Sequence, residues 1–167
     1  MIVSSLFKTE PGEKSGDRKI IAQKDLPADT VLCRFWGPLI SYEDTKALKQ
    51  KESYALQISR ESYRLLDPPY RYFNHSCDPN CGLNPALDLI LIKPVKAGEE
   101  LRWDYSTSMM ERDWKMACTC GKPNCRKVIS DFDKLPVSVQ EYYINLNVVQ
   151  AYILKAIMQD RRMRNAS

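Results

Sequence analysis

Over the first two-thirds of the chain, apolar residues fall in short clusters; helical spacing appears clearly only near the end. Residues 20–22 and 30–35 (TVLCRF) are short apolar runs separated by the turn-forming string Asp25-Leu-Pro-Ala-Asp29, which predicts two strands. Residues 43–51 (EDTKALKQK) have helix-forming composition and predict one short helix. Strand-like content returns at 54–59 and 63–66, the latter ended by Pro68 and Pro69, which cannot donate to a ladder. Residues 87–92 (LDLILI) form a nearly unbroken apolar run, as expected of a buried strand, and after a turn at Gly98 residues 101–105 predict another. Residues 8–18 are polar, with two glycines and a proline, and predict a loop.

From Pro136 onward the period changes. Val139, Tyr142, Tyr143, Val148, Val149, Tyr152, Ile153, Ala156 and Ile157 recur at helical spacing and predict one or two amphipathic helices. They end in Arg161, Arg162 and Arg164, read as solvated surface. The expected fold is therefore mainly β with a C-terminal helical extension. A length of 167 residues fits one domain with one active site, and 44% apolar with 28% charged residues is the composition of a folded globular chain.

A net charge of +4 is too balanced for a nucleic-acid binder read on electrostatics alone, so no direct nucleic-acid partner is expected. No apolar run approaches the roughly 20 residues that span a bilayer, and the start of the chain lacks signal-peptide character. The expectation is an intracellular protein without a membrane partner. Six cysteines in such a setting argue for reduced thiols or metal ligands rather than a disulfide framework. The single histidine, His75, excludes any mechanism that needs two imidazoles.

Cys118-Thr-Cys120-Gly-Lys-Pro-Asn-Cys125 places three thiols close together in a segment that Gly121 and Pro123 allow to wrap around a small ion. Tetrahedral zinc needs a fourth ligand, for which Cys33, Cys77, Cys81 and His75 are the candidates, and local sequence does not choose among them. Four thiolates leave no open position for water, so a structural role is expected. Pairing Cys77 with His75 as a hydrolase nucleophile and base is disfavoured, because residues two apart on a strand are not set up for proton transfer.

The string Arg71-Tyr-Phe-Asn74-His75-Ser-Cys77-Asp-Pro-Asn80-Cys81 resembles the cofactor-binding signature of SET-domain protein-lysine methyltransferases. Lys96-Ala-Gly98-Glu99-Glu100-Leu101-Arg-Trp103-Asp104-Tyr105 is similar to that family's Gly-Glu-Glu-Leu motif ending in Asp-Tyr, and the later cysteine cluster to its post-SET zinc cap. The resemblance covers residues 15–130. It implies small curved sheets around a pseudoknot, in which the segment ending in Asp-Tyr threads beneath the strand carrying Asn-His-Ser. It implies domain parts at 1–116 (SET), 117–130 (zinc cap) and 131–167 (helical extension), in a compact bacterial- or viral-like form without a pre-SET segment.

The same resemblance implies methyl transfer from S-adenosylmethionine to the ε-amine of a lysine in a protein or peptide substrate, histone-like tails among the candidates, by a monomer or homodimer. The protein is then expected in the cytoplasm if bacterial, or at the nucleus or chromatin if eukaryotic or acting in a host. Tyr105 is implied as the catalytic tyrosine. Arg18, Tyr54, Arg71, Tyr72, Asn74 and His75 are implied at the cofactor, Phe35 and Trp103 at the substrate channel, and Cys77 as the fourth ligand of structural Zn²⁺ with Cys118, Cys120 and Cys125. Trp103 stands where relatives carry the Phe or Tyr that limits methyl number; lacking a hydroxyl, it favours di- or trimethylation. The chain departs from the pattern where Asp17, Arg18 and Lys19 occupy the place of a Gly-x-Gly loop, and where Phe35 replaces a tyrosine. A catalytically impaired SET-like binding module is the alternative these departures raise.

Overall fold

The computed structural model describes residues 5–13, 16–48, 54–111 and 114–165. Strand β1 (Phe7–Pro11) pairs antiparallel with β2 (Arg18–Ala22), Phe7 opposite Ala22 and Pro11 opposite Arg18. The first half of the expected 8–18 loop is therefore strand. Of the β1 side chains only Phe7 is buried, so the backbone ladder holds this strand and no apolar alternation announces it.

Strand β3 (Val31–Arg34) follows, and β4 (Leu39–Ser41) runs into helix α1 (Tyr42–Ala47). Ser41 caps α1: its hydroxyl accepts from the Asp44 backbone N–H while the Asp44 carboxylate accepts from the Ser41 N–H. The expected continuation of this helix through 51 lies outside the described residues beyond Leu48. Strands β5 (Ala55–Gln57) and β6 (Ser62–Leu65) complete a sheet of order β4-β6-β5. β5 stops short of the expected 59 because the N–H groups of Ile58 and Ser59 both turn onto the Ser62 carbonyl.

After a 3-10 turn at Tyr70–Tyr72 come β7 (Asn74–His75), β8 (Cys81–Leu83) and β9 (Asp88–Leu91). The β3-β9-β8 sheet explains the apolar run at 87–92. Leu89 and Leu91 point into the main core, whereas Ile90 and Ile92 pack against a second cluster containing Phe132, Val148 and Ile153. Both faces of β9 are covered, so both are apolar.

Strand β10 (Arg102–Trp103) lies parallel to β7, Arg102 opposite Asn74 and Trp103 opposite His75. This pairing joins the two sequence motifs across the fold. The expected 101–105 strand ends at Trp103, because the Asp104 side chain accepts from the Ser106 N–H and bends the chain into a 3-10 turn at Tyr105–Ser108. The antiparallel pair β11 (Lys115–Ala117) and β12 (Val128–Ser130) brackets the cysteine cluster.

Helices α2 (Val137–Asn145) and α3 (Ala151–Asn165) match the helical periodicity. Just past α2, Asn147 turns the chain with φ +55°, and the Val148 N–H reaches back to the Tyr143 carbonyl while that of Asn147 reaches Ile144. That turn drives Val148 and Val149, both fully buried, into the second core. Val148 fits only because Gly82 of β8 has no side chain: a Cβ there would lie 2.4 Å from Val148 Cγ1. Arg161 and Arg162 are exposed as expected, while the Arg164 side chain lies outside the described residues. No described helix is long and apolar enough to cross a membrane.

Candidate active site

Cys77 follows β7 in the Asn-His-Ser-Cys string, and the chain between β11 and β12 delivers Cys118, Cys120 and Cys125 to it. The four sulfur atoms lie within 4.8 Å of one another, with Cys77–Cys118 at 3.8 Å and Cys118–Cys125 at 3.7 Å. A tetrahedral ion bound about 2.3 Å from each thiolate separates its sulfurs by roughly 3.8 Å, so the cluster fits zinc. Of the candidates left open by sequence, Cys33 and Cys81 sit apart in β3 and β8, and Cys77 joins the cluster.

His75 reaches the same centre from behind. Its Nε2 lies 3.4 Å from Cys77 Sγ, and its Nδ1 is 3.3 Å from the Tyr105 backbone N–H. Burial pushes its pKa down to about 4; Asp104 works against that shift, and Arg126 and Arg102 add to it. With Nδ1 accepting from Tyr105, the proton of the neutral ring belongs on Nε2, facing the sulfur. The close Cys77–His75 approach thus belongs to the cysteine centre, and the His75 side chain does not line the cavity described next.

The cavity is walled by Tyr70, Phe73, Trp103, Tyr105, Met109 and Trp114, with Arg71 and Ala55 also on its lining. The Tyr105 hydroxyl donates to the Phe73 carbonyl at 3.0 Å, and the Trp103 indole donates to the same oxygen at 3.2 Å. Burial holds the Tyr105 phenol well above its ordinary pKa, so it is a neutral donor and not a base. Phe35 is fully buried, with ring contacts to Tyr70, Phe73 and Trp103 at 6.0, 5.6 and 5.8 Å. It backs the wall without forming its surface.

The residues expected at the cofactor gather into two groups. The Arg71 guanidinium lies 5.0 Å from the Tyr54 ring and 5.2 Å from that of Tyr72, and it donates to the Tyr72 hydroxyl at 3.2 Å. The guanidinium lies on the cavity lining, where its charge suits an anionic group entering beside the aromatic wall. In the other group, the Asn74 side chain donates to the Arg18 carbonyl at 3.1 Å and to Glu100 at 2.9 Å, tying the start of β2 to β7. The Asn74 amide is thereby occupied, and the exposed Arg18 side chain stands free of the cavity lining.

Three residues that the motifs did not single out complete the site. Trp114 and Met116 close the cavity from the zinc-cap side. Arg126, next to Cys125, forks onto the buried Asp104 carboxylate with two bonds of 2.7 Å. Its own backbone N–H points at Cys77 Sγ from 3.4 Å. A lone arginine beside a cysteine cluster carries no partner in sequence, and Asp104 is reached only through the fold.

The SET domain family model matches residues 17–106. A probable histone-lysine N-methyltransferase, set-23, of Caenorhabditis briggsae is 28% identical over 72% of this chain and 56% of its own length. The histone-lysine N-methyltransferase Su(var)3-9 of Drosophila melanogaster is 35% identical over 74% of this chain and 24% of its own. The human histone-lysine N-methyltransferase 2D is 32% identical over 65% of this chain and 2% of its own. The chain thus spans about half the length of the nematode relative and far less of the others.

Proposed function

Because the chain belongs to the SET-domain family, we propose that it is a protein-lysine N-methyltransferase whose reaction centre is the aromatic cavity at Tyr105. S-adenosylmethionine, when bound, supplies an electrophilic methyl group on a sulfonium: the new N–C bond forms as the C–S bond breaks, leaving a neutral thioether and a methylated ammonium. The observation that carries this reading is the pair of donors, Trp103 and Tyr105, anchored on one carbonyl in the wall of an apolar cavity beside Arg71.

The residues act by binding, orienting and excluding water. Arg71, held between Tyr54 and Tyr72 on the cavity lining, would set its guanidinium charge against a carboxylate at the cofactor's amino-acid end. Asn74, whose side chain ties β7 to Arg18 and Glu100, would serve the cofactor through its backbone rather than its amide N–H groups. Tyr105 spends its proton on Phe73, so its oxygen turns acceptor lone pairs toward the reacting methyl and amine. A free lysine has a pKa of about 10.4, and a dry aromatic wall next to a sulfonium favours loss of the ammonium proton to solvent before transfer. With His75 engaged elsewhere, the centre runs without a dedicated base. Cys77, Cys118, Cys120 and Cys125 would hold a structural zinc that staples Trp114 and Met116 over the cavity.

Basic, flexible tails of the histone kind are the first substrates to try, since the relatives carry histone-lysine in their names; such a target places the protein at chromatin. The test is incubation with labelled S-adenosylmethionine and an array of lysine peptides, alongside Tyr105→Phe. Wild type should label lysine, and loss of one oriented hydroxyl should lower the rate roughly 100-fold or more. Equal labelling by the variant removes Tyr105 from its role. Calorimetric cofactor binding without transfer to any peptide would instead identify a SET-like binding module.

A further inference from the structure

The C-terminal extension lies outside the matched family region, yet it grips the segment that carries Tyr105. Asp104, whose side chain is fully buried, has two oxygens and room for about four donors. All four are in place. Oδ1 accepts from Arg126 at 2.7 Å and the Ser106 N–H at 3.1 Å; Oδ2 accepts from Arg126 at 2.7 Å and from the Tyr143 hydroxyl of α2 at 2.9 Å. Farther along the same segment the Gln150 N–H donates to the Thr107 carbonyl at 3.2 Å, the Tyr152 hydroxyl to that of Ser108 at 2.7 Å, and the Phe132 N–H to that of Met109 at 2.9 Å. Tyr105, Ser108 and Met109 all line the cavity.

We propose that Tyr143 is a positioning residue for methyl transfer: through Asp104 it sets the turn on which Tyr105 stands, so that the helical extension is a working part of the reaction centre. The inference rests on the methyltransferase reading above. Three separate parts of the chain meet at one carboxylate: the β10 turn, the zinc cap through Arg126, and the extension through Tyr143. Arg126 neutralises the charge of Asp104, but it leaves one lone pair of Oδ2 for which the described structure offers only the Tyr143 hydroxyl. Without that hydroxyl one lone pair of a fully buried carboxylate is left unsatisfied, which favours a shift of the carboxylate and, with it, of the Ser106 N–H and the turn. A displacement of about an ångström is enough to cost up to 100-fold in an aligned displacement reaction.

Tyr143→Phe keeps the buried ring and removes only the hydroxyl. The expected result is kcat lowered about tenfold or more with KM for cofactor and peptide little changed, the mark of an interaction that matters in the transition state. Amide hydrogen exchange at Ser106 and Thr107 should quicken while that of β9 stays as in wild type. Tyr142→Phe, which alters the exposed neighbouring tyrosine, should match wild type in both measurements. Tyr152→Phe, which frees the Ser108 carbonyl, is the second variant and should show the same pattern in weaker form. A Tyr143→Phe protein with wild-type kcat and wild-type exchange at Ser106 overturns the proposal, as does a lowered melting temperature with kcat unchanged well below it. If wild type itself methylates nothing, the methyltransferase reading fails, and exchange at Ser106 alone decides whether Tyr143 holds the turn.

Discussion

Trp103 and Tyr105 donate to one and the same acceptor, the Phe73 carbonyl, from indole and hydroxyl at 3.2 and 3.0 Å. Their rings, 4.9 Å apart, are thereby locked side by side on the cavity wall. Phe73 belongs to the cofactor-type motif and the other two to the Asp-Tyr motif, so the parallel β7–β10 pairing converts two distant strings into one surface.

That arrangement gives Trp103 a testable influence on product. Its indole N–H is consumed by Phe73, so no side-chain donor remains there to retain a water beside the accepting amine. Wild type is expected to add two or three methyl groups. Trp103→Tyr brings a hydroxyl on a smaller ring, and peptide products weighed by mass spectrometry should shift toward fewer methyl groups. An unchanged distribution removes Trp103 from this role.

Thiol chemistry tests the zinc centre. A thiolate, not a thiol, is alkylated. Burial pushes Cys33 up to about 12, with Asp88 adding to the shift, so at pH 8 only on the order of one molecule in ten thousand carries that thiolate. Burial raises Cys81 as well. Iodoacetamide should therefore leave the zinc-loaded protein almost unmodified, and after chelation should add alkyl groups at Cys77, Cys118, Cys120 and Cys125, with Cys77 and Cys118 the slower because burial raises their thiols until the metal-free cap opens. Peptide mapping that finds those four modified before chelation would count against a bound metal.

Gly82 tests the seam between β8 and the extension. An alanine Cβ would meet Val148 Cγ1 at 2.4 Å and Cβ at 2.7 Å, and Val148 is fully buried with little space to retreat. Gly82→Ala should lower stability by about 1–3 kcal/mol, read from the denaturant midpoint. An unaltered midpoint would mean that the extension yields at this point.

Much of the site was legible along the chain because its residues are held in contiguous strings. The Asn74-His75 and Asp104-Tyr105 strings carry their chemistry locally, and the spacing of Cys118, Cys120 and Cys125 is itself a metal-binding geometry. Apolar periodicity announced α2, α3 and β9 for the same reason: each buries a face, and burial selects apolar side chains. It could not announce β1, whose ladder stabilises an exposed backbone, nor the end of β10, where one side chain–backbone bond at Asp104 overrides strand content.

Only the tertiary structure decided what those strings do to one another. That Phe35 backs the cavity wall, that Trp114 closes the cavity, and that Tyr143 and Arg126 saturate one carboxylate are relations between segments far apart in sequence. Tyr143 shows the limit plainly. In the sequence it is one more apolar position at helical spacing, and its ring is buried as that position predicts. The partner of its hydroxyl lies 39 residues away and is chosen by packing, because a buried carboxylate must find its donors wherever the folded chain supplies them.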